Sequence, residues 1–196
     1  MQGSAMTSDQ RVLGVVATGA GGVEKLRTGL VEPAIAQGWQ VGVTLTPTAA
    51  TWLDDLGEVA LLEKVTGLPV RSAPRLPREQ SPHPPASCYV VAPASANTVA
   101  KLALGIADNQ ALTQLCEAIG TRSLPVVMFP RINAAHARQP AWESHLSTLR
   151  EAGVWLVGGP DVWPLYEPRE APPGRELPWA AVLETAERAV ATDATS

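Results

Sequence analysis

Short apolar runs of strand length recur along this chain, and each gives way to a segment whose apolar residues return at helical spacing. The runs are Arg11 to Ala17, Trp39 to Leu45, Cys88 to Ala92, Leu124 to Phe129 and Val154 to Val157. Helical spacing is read over Val23 to Gln37, Ala49 to Leu56, Ser95 to Leu104, Ala111 to Ile119, around Ala141 to Ala152, and Ala180 to Ala191. Alternation of this kind places parallel strands in one sheet, with the intervening helices covering both of its faces. The expectation is a single α/β domain, a three-layer Rossmann-like (flavodoxin-like) parallel sheet over residues 11–196. Two stretches lack any period. Pro69 to Ala86 reads as a loop or linker, and the proline-rich segment from Pro160 to Pro178 reads as a flap.

A chain of 196 residues with 45% apolar content has ample core for one domain. Its net charge of -4, without a basic run, gives nucleic acid little to hold, and no apolar stretch approaches the roughly 20 residues of a membrane span. A small molecule or peptide is the expected partner. Met1 to Gln10 has neither a basic nor an apolar region of a secretion signal, and is read as a disordered tail or cloning remnant of a cytoplasmic protein. The two cysteines, Cys88 and Cys116, lack metal spacing, so no metal site is expected and core packing is their assigned role.

The most informative segment follows the Cys88 run. Pro93-Ala94-Ser95-Ala96-Asn97-Thr98 lies where a strand ends and a helix begins, the crevice in which open α/β sheets bind ligands. Ser95 stands at the N-cap, Asn97 and Thr98 offer further hydrogen bonds, and Ala94 and Ala96 let a flat ring approach the backbone. The first turn, Thr18-Gly19-Ala20-Gly21-Gly22-Val23, has the setting of a dinucleotide fingerprint, but Glu24 occupies the place of its third glycine. The second strand ends in Thr46-Pro47-Thr48, with no acidic residue for a ribose. Hydroxyls beside a glycine turn suit a single phosphate, as in FMN, although Thr46 or Thr48 as a mere helix cap reads equally well from these residues alone.

Pro93 to Thr98 running into Gly105-Ile106-Ala107-Asp108-Asn109 resembles the signature of the homo-oligomeric flavin-containing cysteine decarboxylases. That family includes phosphopantothenoylcysteine decarboxylase and the lantibiotic-type peptide decarboxylases. The resemblance implies FMN with its phosphate at Thr18, Gly19, Ala20, Gly21, Thr46 and Thr48. Its ring would lie near Ala94, Ser95, Asn97 and Thr98, and Asp108 and Asn109 near the ring or a subunit contact. It also implies a trimer or a dodecamer, with Trp52 or Trp142 packing between subunits. The implied reaction oxidises a cysteine-like thiol to a thioaldehyde and then releases CO2, leaving an enethiol.

Three further segments bear on that reaction. Pro130-Arg131-Ile132-Asn133-Ala134-Ala135-His136 is similar to the family's Pro-x-Met-Asn-x-x-Met-Trp, whose Asn binds the substrate carboxylate; here Pro130 and Asn133 are kept and both methionines replaced. Gly174-Arg175 resembles the family's flap, so Arg175, with Arg131, is a candidate carboxylate clamp. The flap has no cysteine, which favours a peptide substrate over a phosphopantothenoylcysteine-like thiol. The family's histidine base falls by spacing at Glu79, and the nearest histidine is His83. His83, His136 and Glu79 are therefore the candidate bases, with Asn133 assisting. Two other readings stay open: an FMN protein without decarboxylase activity, such as a redox partner or carrier, and a flavin prenyltransferase.

Overall fold

The computed structural model describes residues 11–122 and 124–193. Met1 to Gln10 lies outside the described residues. Five parallel strands form one sheet in the order β2-β1-β3-β4-β5: β1 (Val12–Ala17), β2 (Gln40–Leu45), β3 (Cys88–Ala94), β4 (Val126–Pro130) and β5 (Trp155–Leu156). All five expected strands are present. Strand order reverses between β1 and β3, so their carboxyl ends diverge into the crevice that such sheets use for ligands.

Side chains alternate between two cores, as the pleat requires. Leu13, Val15, Val43, Val90, Ala92, Val127 and Phe129 face one layer, and Val16, Val91, Val126 and Met128 face the other. The first layer holds the Val23–Ala36 helical segment, α2 (Pro47–Asp55), α3 (Glu58–Thr66) and α8 (Trp179–Asp193). The second holds α4 (Ala96–Ala103), α5 (Gln110–Thr121) and α7 (Trp142–Glu151). Burial of strands on both faces is why their sequences read as unbroken apolar runs.

Four features depart from expectation. The helix over Val23 to Gln37 is three pieces: a 3-10 turn (Val23–Lys25), a π-helical stretch (Arg27–Val31) and α1 (Glu32–Ala36). Pro33 lacks an amide hydrogen, and the wide turn before it lets Trp179 pack directly on Gly29, where a Cβ would come within 2.3 Å of the indole. A helix not foreseen, α3, is held by Arg27, whose guanidinium donates to Glu58 at 2.9 Å and Glu32 at 2.5 Å. Trp142, expected between subunits, is 6% exposed in the second core; Trp52 does remain exposed on α2.

The Pro69 to Ala86 loop is not a free linker. Arg71 extends the sheet edge, its amide donating to Val43 O at 3.0 Å and its carbonyl accepting from Leu45 N at 2.7 Å. The loop then packs on the second face beside α5. His83 lies on Gly42, where a Cβ would stand 3.0 Å from the ring, and the Tyr89 ring lies on Gly14.

Candidate functional site

The carboxyl ends of β1, β2, β3 and β4 form one edge, and the sequence places short polar residues at each. At its centre is Thr18, 1% exposed. Its hydroxyl donates to Pro93 O at 2.9 Å and accepts from Ser95 N at 2.8 Å, tying the β1 turn to the β3 turn. Ser95 caps α4: its Oγ accepts from Thr98 N at 3.2 Å and lies 3.1 Å from Thr98 Oγ1. Thr46 caps α2, and its amide donates to Ala17 O at 3.0 Å, which holds the β2 end against β1. Gly19 packs on Thr48 so closely that a Cβ would sit 2.5 Å from Thr48 Cγ2. Only glycine permits this approach of the first turn to the N-terminus of α2. Gly22 adopts φ +98 under Leu177.

After β4 the chain turns at Arg131, whose amide donates to Ala94 O at 2.8 Å. Asn133 caps a short helix, α6 (Ala134–Ala137): Oδ1 accepts from His136 N at 2.9 Å and lies 3.1 Å from His136 Nδ1. The amide nitrogen Nδ2 is thereby directed away from the helix as a donor. The flap docks on this turn through Ala134 N to Tyr166 O at 2.9 Å and a two-pronged Arg138–Glu167 pair. Arg175 lies between Trp163, 3.6 Å from its ring centroid, and Tyr166 at 4.7 Å; Arg131 stands 5.1 Å from the same Trp163 ring. Arg131 is held below the ordinary guanidinium range by burial first and by Arg175 second, with Glu24 opposing. Arg131 Nε and Trp163 Nε1 are buried donors with no hydrogen-bond partner among the described residues. Beside them a cavity of about 530 Å³ is lined by Pro130, Ile132, Trp142, Leu156 and Leu165.

Comparison with known proteins bears on this edge. The model of the family described as Flavoprotein matches residues 2–190. The chain belongs to that family. Among solved structures, this flavoprotein is similar to the FMN-dependent cysteine decarboxylase SpaF, at 25% identity and TM-score 0.66 over 95% of this chain and 98% of that one. The cypemycin decarboxylase CypD superposes with TM-score 0.69 at 23% identity, covering 94% and 96% of the two chains. Among curated proteins, a probable phosphopantothenoylcysteine decarboxylase of Arabidopsis thaliana is 39% identical over 72 residues, 37% of this chain and 35% of that one. The bifunctional coenzyme A biosynthesis protein CoaBC of Haemophilus influenzae is 29% identical over 125 residues, 61% of this chain and 29% of that one. The flavoprotein therefore spans about a third or less of these curated relatives.

Most of the residues singled out in the sequence fall on the one edge: Thr18 to Gly21, Thr46, Thr48, Ala94, Ser95, Asn97, Thr98, Arg131, Asn133 and His136. Several do structural duty there, since Thr18 is a buried clamp and Thr46, Ser95 and Asn133 are caps. Asn109 caps α5, its Oδ1 accepting from Leu112 N at 3.1 Å. Asp108 is exposed beside it, held below the ordinary carboxylate range chiefly by the Lys101 ammonium at 2.5 Å. His83 stands apart from Asn133. Its Nε2 is spent on Pro69 O at 2.7 Å, and burial pushes its pKa below the usual imidazole value. Glu79 is likewise engaged locally, accepting from Leu76 N at 2.9 Å. Trp163 and Tyr166, which shape the flap, went unnoticed because an aperiodic segment carries no signal of what it packs against. Among the described residues no cluster of His, Cys, Asp or Glu has metal-binding arrangement, and no helix is long and apolar enough to cross a membrane.

Proposed function

We propose that this flavoprotein binds FMN and oxidatively decarboxylates a cysteine-type thiol, a peptide with a C-terminal cysteine in preference to a phosphopantothenoylcysteine-like small thiol. The observation that carries the reading is the Thr18 clamp. It joins the glycine turn after β1 to the Ser95 cap after β3 and so builds one continuous polar edge at the point where strand order reverses. Membership of the Flavoprotein family and the likeness to FMN-dependent cysteine decarboxylases support it.

The residues present fit such a cofactor. Gly19, flat against Thr48, leaves the turn without a side chain where a phosphate would approach, and the hydroxyl and amides at the start of α2 suit an anion. Gly19 to Gly21, Thr46 and Thr48 would hold the phosphate, and Ala94, Ser95, Asn97 and Thr98 the ring. Thr18 positions these turns from beneath, and Asp108 and Asn109 order the α4–α5 loop that borders them. When bound, FMN supplies a two-electron acceptor. Asn133 Nδ2 donates to the substrate carboxylate, which fixes the acid group until it leaves as CO2. His136, hydrogen-bonded to Asn133, is the base that takes a proton from the substrate; His83, with its nitrogen spent on Pro69, is not favoured. Arg131 and Arg175 supply the positive charge that draws the carboxylate under the flap. The subunits assemble as trimers or dodecamers, with the exposed indole of Trp52 at a contact, in the cytoplasm.

The purified protein should be yellow, with flavin absorbance. Anaerobic addition of a C-terminal-cysteine peptide should bleach it, with the peptide losing CO2 and two hydrogens. A colourless protein that takes up no FMN refutes the cofactor; a yellow one that no C-terminal-cysteine peptide bleaches refutes the reaction.

A further inference from the structure

A second constellation lies on the other side of the sheet edge, under the Pro69 to Ala86 loop. Arg71 is 8% exposed, and among the described residues its guanidinium has neither a hydrogen-bond nor an ion-pair partner. By contrast Arg11, Arg27, Arg138 and Arg150 each meet a carboxylate at 2.5 to 2.9 Å. The side chain is largely covered while its guanidinium, unpaired among the described residues, reaches a cavity, so an oxyanion entering there would meet a positive charge with free N–H donors. Burial first, then Arg75, pushes the Arg71 pKa down, with Tyr89 opposing. Gln114, on α5, has its Oε1 buried and without a partner.

Arg71 and Gln114 line one cavity of about 540 Å³, together with Arg75, Tyr89 and Thr113. The two carboxylates on its wall do not neutralise Arg71. Glu79 accepts from Leu76 N, and Glu117 is exposed at the rim. An unpaired guanidinium offers two parallel N–H donors, and an unpaired amide oxygen in the same cavity asks for one donor. The two demands are met by a single chemical class: an oxyanion, carboxylate or phosphate, with an N–H or O–H donor next to it.

We propose that this cavity is an anion-binding site, separate from the crevice at the strand ends, in which Arg71 holds the oxyanion and Gln114 Oε1 accepts from its neighbouring donor. Its backbone suits the role. Arg71 is pinned on both sides by Val43 and Leu45, so its side chain is presented from a fixed sheet edge.

The test uses the full chain as purified, with calorimetric titration and melting temperature as readouts, and N-acetylglycine, acetate and inorganic phosphate as probes. At least one oxyanion should bind and raise the melting temperature, and Arg71→Met should weaken it by about tenfold or more, the loss of a charge-assisted bidentate pair. Gln114→Leu should weaken N-acetylglycine, which carries the adjacent N–H, and leave acetate unchanged. The tighter of N-acetylglycine and phosphate identifies the source of the oxyanion. Should Arg71→Met not fold, Arg71→Lys keeps the charge, loses the fork, and should still weaken binding. Equal binding to wild type and the Arg71 variants, or no binding of any probe at millimolar concentration, overturns the proposal. Loss of flavin colour in an Arg71 variant also overturns it, since that would make Arg71 part of the cofactor site. Binding is read without turnover, so failure of the decarboxylase reading leaves this test standing.

Discussion

Replacing Thr18 by valine removes one oxygen and keeps the shape. In the native protein that oxygen donates to Pro93 O at 2.9 Å and accepts from Ser95 N at 2.8 Å, in a side chain 1% exposed. Pro93 O keeps a second donor, the Thr18 amide at 3.2 Å, so the acceptor is not stranded. Ser95 N, in a half-buried residue, is left without its acceptor; an unsatisfied amide costs about 1–3 kcal/mol, and about 2 kcal/mol is the expected loss. For a domain of this size that lowers the melting temperature by about 4–8 °C. The same free energy predicts about 30-fold faster hydrogen exchange at the Ser95 amide, because a penalty confined to this clamp appears first as its local opening. Thr18→Ser keeps the hydroxyl and should leave that exchange rate near wild type. Thermal denaturation and amide exchange by NMR measure both quantities. A valine variant melting within about 1 °C of wild type, or a serine variant that exchanges as fast as the valine one, refutes the reasoning.

Three further predictions concern other parts of the molecule. His83 has a depressed pKa from burial, reinforced by Arg71 and opposed by the Pro69 carbonyl, so the unfolded chain binds its proton first as pH falls below about 6.5. The stability it contributes is present above that value and lost as pH falls through the folded pKa; His83→Gln should therefore flatten the melting-temperature profile between about pH 7.5 and about pH 5, and an unchanged profile contradicts this. Burial pushes the Cys88 thiol up to about 12 and raises Cys116 as well. Cys88 should not react with an aromatic disulfide reagent in the native protein at mildly alkaline pH, half-buried Cys116 should react more slowly than in denaturant, and rapid native labelling of Cys88 counts against its burial. Gly19→Ala should cost about 1–3 kcal/mol in urea unfolding by driving a methyl into Thr48 Cγ2. Thr48→Ser in the same chain should recover part of that loss, and strict additivity of the two changes would show that they do not touch.

Much of the architecture is local chemistry and was legible in the chain. Apolar runs such as Val12 to Ala17 and Cys88 to Ala92, short and bounded by turn residues, read as strands buried on both faces, and the helical segments between them favour a parallel sheet. The caps that follow β2 and β3 were legible for the same reason, since Thr46 and Ser95 are read as caps from a few neighbouring residues; that Asn109 and Asn133 also cap helices emerged only in the structure. The misread elements are those decided at long range. The π-helical stretch before α1 goes with the packing of Trp179 on Gly29, 150 positions away. The order in the Pro69 to Ala86 loop follows from the Arg71 bridge to β2 and from glycines at 14 and 42 that leave room for Tyr89 and His83. By itself, then, the sequence determined the sheet, its helices and the polar edge, because secondary-structure period and capping act over a few residues. Only the tertiary structure decided that Thr18 is an internal clamp, that His136 and not His83 stands beside Asn133, and that Arg71, 8% exposed, meets no partner among the described residues. Those facts depend on which distant segments share a face, and no spacing along a chain encodes that.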